Sequence, residues 1–476
     1  MAPPPAPVLL IEFNELTPRL MHSFMGAGQL PHFKRLYDES QVYVTDAEEE
    51  GEALNPWVQW VTVHTGLRAS EHGIRWLSDG AKLRTKAVWD LLSDAGLRVW
   101  VCGSMNVRYE RPLNGYLLPD PWTSGTAPYP DGEFDAYSKF IRHSVQEHTD
   151  HNAAASKWDA FRFLTYMATH GLSFHTVRAT LKQLWTERIG RKTHWRRAAL
   201  LDRFQFDVFR SYYRRLRPHF STFFLNSTAH FQHAYWRNME PEAFLIKPGP
   251  DDQRGLEDAI PYGYRNMDDL LGRLTALAGP DATIIFCTGL SQQPYLKLES
   301  AGGKHFYRLR TPDVLSARLR VAEKYAYHPV MAEQFCLRFE SAAEARAART
   351  TLARYRLGDE PVLECLLQDR DLMVKCNLTQ AVPADATMTA GDRATEVPFF
   401  DLFYQVECIK SGYHHPDGML WIRSPGRQHR VHDEKVPLQA VAPTILDLFD
   451  VPRPAFMTCG PLPAASESRL VGAGAA

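Results

Sequence analysis

Four short runs constrain the fold most: "VLLIEF", the stretch from Val99 to Cys102, "STFFL" and the stretch from Thr283 to Cys287 are almost continuously apolar. A strand with one face in water alternates apolar with polar residues, so strands of this kind are covered on both faces. Between them lie amphipathic segments that read as helices: "LPHFKRLYDES", "AVWDLLSDAG" closing at Gly96, and "LLGRLTALAG" closing at Gly279. The alternation predicts an α/β fold whose mostly parallel sheet is sandwiched by helices. Ligands in such sheets sit beyond the carboxyl ends of the strands. The polar residues at those ends are Glu12, Asn14 and Glu15, then Asn226, His230 and His233, then Ser291 and Gln292.

Two stretches depart from the rhythm. Residues 131–217 are rich in Arg, His and aromatic residues at helical spacing and read as a helical insertion. Its cationic face reads as solvated, with contact to an anionic substrate as the alternative. Residues 310–398 contain "FESAAEARAARTTLARYRLG", a capped helix with a glycine stop beside strand-like runs, and read as a small α+β cap. The core then comprises residues 7–130, 218–309 and 399–463, and residues 464–476 read as a disordered tail.

Composition excludes more than it names. With 54 Lys+Arg against 55 Asp+Glu, no net field draws the chain toward nucleic acid. The seven cysteines include no CxxC pair and suit a reducing compartment. The apolar run after "MAPPPAP" is far shorter than the roughly 20 residues of a membrane span, so the expectation is a cytoplasmic chain with no membrane span.

Six motifs in order, spanning most of the chain, resemble the alkaline phosphatase superfamily, in particular its type I phosphodiesterase and nucleotide pyrophosphatase branch. "VLLIEFNELTPRLMHSF" resembles the opening strand and metal turn, and "NPWVQWVTVHTGLRASEHGI" resembles the nucleophile segment. "NSTAHFQHAYWR" resembles the Asp-x-x-x-His metal segment, and "TIIFCTGLS" the strand leading to a further metal pair. "SGYHHPDGMLWI" resembles the last metal-histidine segment, and "APTILDLFDVPRP" the closing helix. The resemblance implies two zinc or manganese ions and an attacking Thr or Ser hydroxyl.

Residue by residue, most of that chemistry is replaced. The opening metal Asp falls on Asn14, the nucleophile on Asn55 or Pro56, the next Asp on Ala229, and the Asp-His pair on Gly289 and Leu290. His233 and His414 match metal histidines, and a single zinc or manganese ion there needs help from His230 or Glu12, because a catalytic zinc takes three protein ligands. Three readings follow. The first expects no cofactor: Glu12, with Glu15 or Asp120 as partner, supplies metal-free acid/base hydrolysis or transfer on a glycan or sugar-phosphate, with His64, His230 and His233 as further catalytic candidates. Asn14, Asn55, Gln59, Asn226, Gln292 and His414 then bind that ligand. The second is a phosphodiesterase or sulfatase with one noncanonical metal. The third is a glycan-binding pseudoenzyme. Against all three stand structural roles: Glu12 and Glu15 as helix caps, His230 and His233 as satisfied buried groups, and Trp57, Trp60, Tyr235 and Trp236 as core.

Overall fold

The computed structural model describes residues 5–123, 125–146, 156–189, 193–321, 324–331, 333–391, 395–406 and 408–463. The tail expected to be disordered lies outside the described residues. The first six strands are β1 (Val8–Phe13), β2 (Gln41–Asp46), β3 (Val99–Cys102), β4 (Gly115–Leu118), β5 (Phe220–Leu225) and β6 (Thr283–Cys287). All but β2 join in a parallel array, in the order β6, β1, β5, β3, β4. The strand Asp417–Arg423 then runs antiparallel between β6 and β2. The predicted mostly parallel sheet is what the chain forms, and the four apolar runs are its buried strands.

Side chains alternate across β1, so its two faces enter two cores. Leu9, Ile11 and Phe13 pack with Phe33, Phe209, Phe223, Phe286 and Trp421. Val8 and Leu10 pack with Trp57, Trp60, Val63, Trp89 and Leu420 on the opposite side. The helix Pro56–Thr65 from the opening of the nucleophile-like segment covers this second face and is buried along its whole length.

Within residues 131–217 lie the helices Asp135–Gln146, Lys157–Thr169, Phe174–Arg188 and Arg197–Leu216. Within 310–398, four antiparallel strands, Tyr325–Pro329, Gln334–Phe339, Leu363–Gln368 and Asp371–Cys376, pack on the helix Ala342–Leu352 around a core of their own. That helix starts where expected: Ser341 Oγ accepts from Glu344 N, and the Glu344 carboxylate accepts from Ser341 N. Val330, Cys336 and Met373 join this module to the core beneath the Pro56–Thr65 helix. No helix among the described residues is long and apolar enough to cross a membrane.

Candidate metal centre

β1 ends at Phe13, and the chain turns at Glu15 with φ of 59°, a left-handed conformation that swings this carboxylate over the carboxyl end of the sheet. The turn is held by Glu15 N donating to Thr288 O and by Gln232 Nε2 donating to Glu15 O. The helix Ser227–Met239, which follows β5, carries His233, and the strand Gly412–His415 carries His414. Their ring nitrogens meet the carboxylate: His233 Nε2 lies 3.1 Å and His414 Nε2 3.5 Å from Glu15 Oε2. One ligand atom from each of the three falls within 4.8 Å of the others.

The histidines are oriented from behind. His233 Nδ1 lies 3.0 Å from the carbonyl oxygen of Gly412, which only accepts, so Nδ1 carries the proton. In a neutral ring Nε2 then offers a lone pair to a carboxylate oxygen. Lone pair facing lone pair at 3.1 Å is repulsive unless a proton or a cation lies between them. His414 is likewise hydrogen-bonded to the backbone of Leu54. A histidine steered by a backbone carbonyl on one nitrogen and presenting the other is the usual arrangement of metal ligands.

Charge agrees with geometry. Burial alone would raise the Glu15 carboxyl, but the charges of His414 and His233 and hydrogen bonds from His233 and Gln292 outweigh it and hold the group at about 2. Burial lowers His414 to about 4, against the pull of Glu15, so this imidazole is neutral near pH 7. One ionised carboxylate and two imidazoles fit a single zinc or manganese ion. The two-ion set implied by the family resemblance does not fit. Asn14, a neutral amide, instead bridges its neighbours, donating to Glu15 Oε1 at 2.8 Å and Asn226 Oδ1 at 2.7 Å while accepting from Trp60 Nε1 at 2.7 Å. Leu290 is fully buried with Ala47 and Leu54, where the family would place a ligand.

Several expected site residues lie elsewhere. Glu12 is one residue inside β1, paired on both sides with Phe224 and Cys287 and fully buried. Its carboxylate contacts His64 Nε2 at 2.7 Å and accepts from Ser104 Oγ at 2.6 Å, and Ser104 is hydrogen-bonded in turn to Thr222. Glu12 and His64 therefore form a sealed buried pair beneath the Pro56–Thr65 helix rather than catalytic groups in a cleft. Asp120 is tied into its own loop by Thr123, Trp122 N and Asn106 N. His230 is exposed on the helix that carries His233, and the residue that groups with His233 and His414 is Glu15 rather than His230 or Glu12. Asn55 donates to Glu52 O, and Gln59 donates to Ala53 O, so both spend their donors on the local loop. Gln292 and Asn226 do reach the centre's surroundings: Gln292 Nε2 donates to Glu15 Oε2 at 2.5 Å and to Ala229 O at 3.0 Å, while Asn226 meets Asn14.

Two residues of this region escaped the sequence reading. A Cβ at Gly412 would collide with Gln292 Oε1 and the Gln232 carbonyl, so only glycine lets this strand approach and present its carbonyl to His233. Lys410 lies where Glu15 and His414 both act on it electrostatically. Its ammonium sits 4.9 Å from the Tyr413 ring and 5.4 Å from that of Tyr295. Burial, and then Lys304, lower it to about 8 against the pull of Glu333 and Glu15. Gly412 lies within "SGYHHPDG" and Lys410 immediately before it, so a search for cations flanking that motif would have found Lys410.

No protein-family model matches the chain, and no curated protein does. Among solved structures, the chain is similar to murine ectonucleotide pyrophosphatase/phosphodiesterase 5, with 10% identity over 94% of this chain and 95% of that one and a TM-score of 0.42. It is similar to phosphonoacetate hydrolase from Sinorhizobium meliloti in complex with phosphonoformate, at 14% identity over 94% and 95% with a TM-score of 0.41. It is also similar to wild-type alkaline phosphatase PafA, at 12% identity over 97% and 99% with a TM-score of 0.46.

Proposed function

We propose that the protein is a single-metal hydrolase of small phosphate or sulfate esters, sugar phosphates included, with zinc or manganese held by Glu15, His233 and His414. The observation that carries this reading is the His233 ring, whose proton is committed to Gly412 O while Nε2 faces the Glu15 carboxylate at 3.1 Å. When bound, the ion supplies Lewis acidity toward an ester oxygen and lowers the pKa of water. Everything else is work for the chain's own groups. Asn14 and Gln292 donate to the two oxygens of Glu15 and fix its plane. Gly412 and Leu54 fix the rings. Lys410 adds positive charge beside the centre, where an anionic substrate needs it.

Metal-free acid/base catalysis loses its pair, because Glu12 is sealed away from Glu15 by its bonds to His64 and Ser104. The test is hydrolysis of an aryl phosphodiester, phosphomonoester and sulfate ester by protein stripped with chelator and reloaded with zinc or manganese. Turnover restored by metal in the wild type and absent in Glu15→Gln supports the reading. Turnover unaffected by chelator overturns it.

A further inference from the structure

Exposed apolar side chains are normally scattered over a soluble surface. Here they are concentrated. Of the twelve large hydrophobic residues exposed among the described residues, eight lie between Trp158 and Ile189. Seven occupy two consecutive helices, Lys157–Thr169 and Phe174–Arg188, and the eighth, Ile189, follows the end of the second.

The second helix is inverted. The residues it buries are Thr176, Gln183 and Thr186, and this polar side is satisfied: Gln183 Nε2 donates to Thr193 O at 2.7 Å, and the Thr186 hydroxyl to Lys182 O at 2.7 Å. Outward point Phe174, Leu181 and Trp185, at 82%, 62% and 65% exposure, in positions that fall on one stripe of a helix. The first helix buries Phe163, Tyr166 and Met167 yet also exposes Trp158 and Phe161, so it is apolar on two sides.

Charge on the same segment is one-sided. Lys157, Arg162, Arg178, Lys182 and Arg188 are exposed, and no ion pair is recorded for any of them among the described residues. The two carboxylates of these helices are already neutralised from outside, Asp159 by Lys139 at 2.9 Å and Glu187 by Arg197 at 2.7 Å. Aromatic and aliphatic residues interleaved with unpaired cations match the interface of an anionic bilayer, where rings enter the headgroup boundary and cations meet lipid phosphates. A second copy of the chain fits poorly, since it would bring like charges together.

We propose that the segment from Lys157 to Ile189 docks the protein on anionic membrane surfaces, lying in the interface without crossing it. The test is cosedimentation of the full chain with vesicles of phosphatidylcholine alone and of phosphatidylcholine mixed with phosphatidylglycerol, at low and high salt. Two variant proteins accompany it, Leu181→Ser with Trp185→Ser, and Arg178→Glu with Lys182→Glu; circular dichroism melts confirm that both fold. The proposal expects salt-sensitive binding to the mixed vesicles that each variant weakens about tenfold or more. Absence of wild-type binding, or binding that both variants retain, overturns it. So does a dimer in sedimentation velocity that the Trp185 variant disperses while vesicle binding is nil, which would make the face a contact between copies.

Discussion

Two glutamates three positions apart have opposite fates. Glu12 lies within a strand flanked by strands on both sides, so its side chain can only enter the core, where His64 and Ser104 receive it. Glu15 lies past the strand end in a left-handed turn that points it at His233 and His414. We predict that Glu12→Gln keeps the metal stoichiometry and lowers stability by about 1–3 kcal/mol, as expected for a buried hydrogen-bonded charge that loses its match; metal analysis and a denaturant melt check both. Glu15→Gln should instead remove the metal. The sequence carried both glutamates as candidates and gave Glu12 the leading role, with Glu15 as one candidate partner. A single positive φ at Glu15 decides the matter, and nothing in the local residue types announces it. His414 and His233 were legible from their motifs, whereas Asn55 and Gln59, carried in by the same kind of motif, bond to their local loop instead.

At the same scale, Lys410 makes a pH prediction. Its ammonium is held at about 8, so it is charged below that pH and neutral above it. KM for an anionic ester should therefore rise between about pH 7 and 9, with Lys410→Arg flattening the rise because guanidinium keeps its charge. Equal pH profiles in the two proteins would remove Lys410 from substrate binding. The Thr62 hydroxyl is hydrogen-bonded to His72 at 3.3 Å and not to Glu15, His233 or His414 among the described residues, so Thr62→Ala should leave turnover within about threefold of wild type, and a steady-state assay is sufficient to check it.

Among the elements, the helix Arg197–Leu216 is tied to the site-bearing helix through Asp202. Ser227 Oγ, at the first residue of the His233 helix, donates to Asp202 Oδ2 at 2.5 Å, and Asn266 Nδ2 donates to the same oxygen at 3.0 Å. Burial raises this carboxyl to about 7 against those donors and Arg203, whereas the unfolded chain ionises near 3.8. The stability contributed by the retained proton is fully present below pH 3.8 and is lost as pH rises through about 7. The melting temperature of the wild type should thus fall relative to Asp202→Asn over that window, by the equivalent of a few kcal/mol; parallel curves would contradict it. The elements themselves were readable because four apolar strands and two glycine-stopped helices obey simple periodicity, and the capped Ala342–Leu352 helix announced itself through Ser341 and Glu344. The Phe174–Arg188 helix was read only for its cations. Its apolar residues face outward and its polar ones inward, which no pattern rule anticipates.

For the whole molecule, the sheet brings the carboxyl ends of β1, β5 and β6 together, and the Gly412–His415 strand pairs with Ser291–Pro294 to deliver His414 across them. Three residues distant in sequence come within ligand distance of one another, while Asn14 and Leu290 stand where the motif resemblance implies further ligands. The architecture therefore supports one ion per chain. The most direct measurement is elemental analysis after loading with zinc or manganese and exhaustive dialysis, on the wild type and on Glu15→Gln, His233→Ala and His414→Ala. We predict about one ion retained per wild-type chain and little in any of the three variants, as a three-ligand site requires. A wild type that retains none, or variants that keep the full ion, would contradict the account.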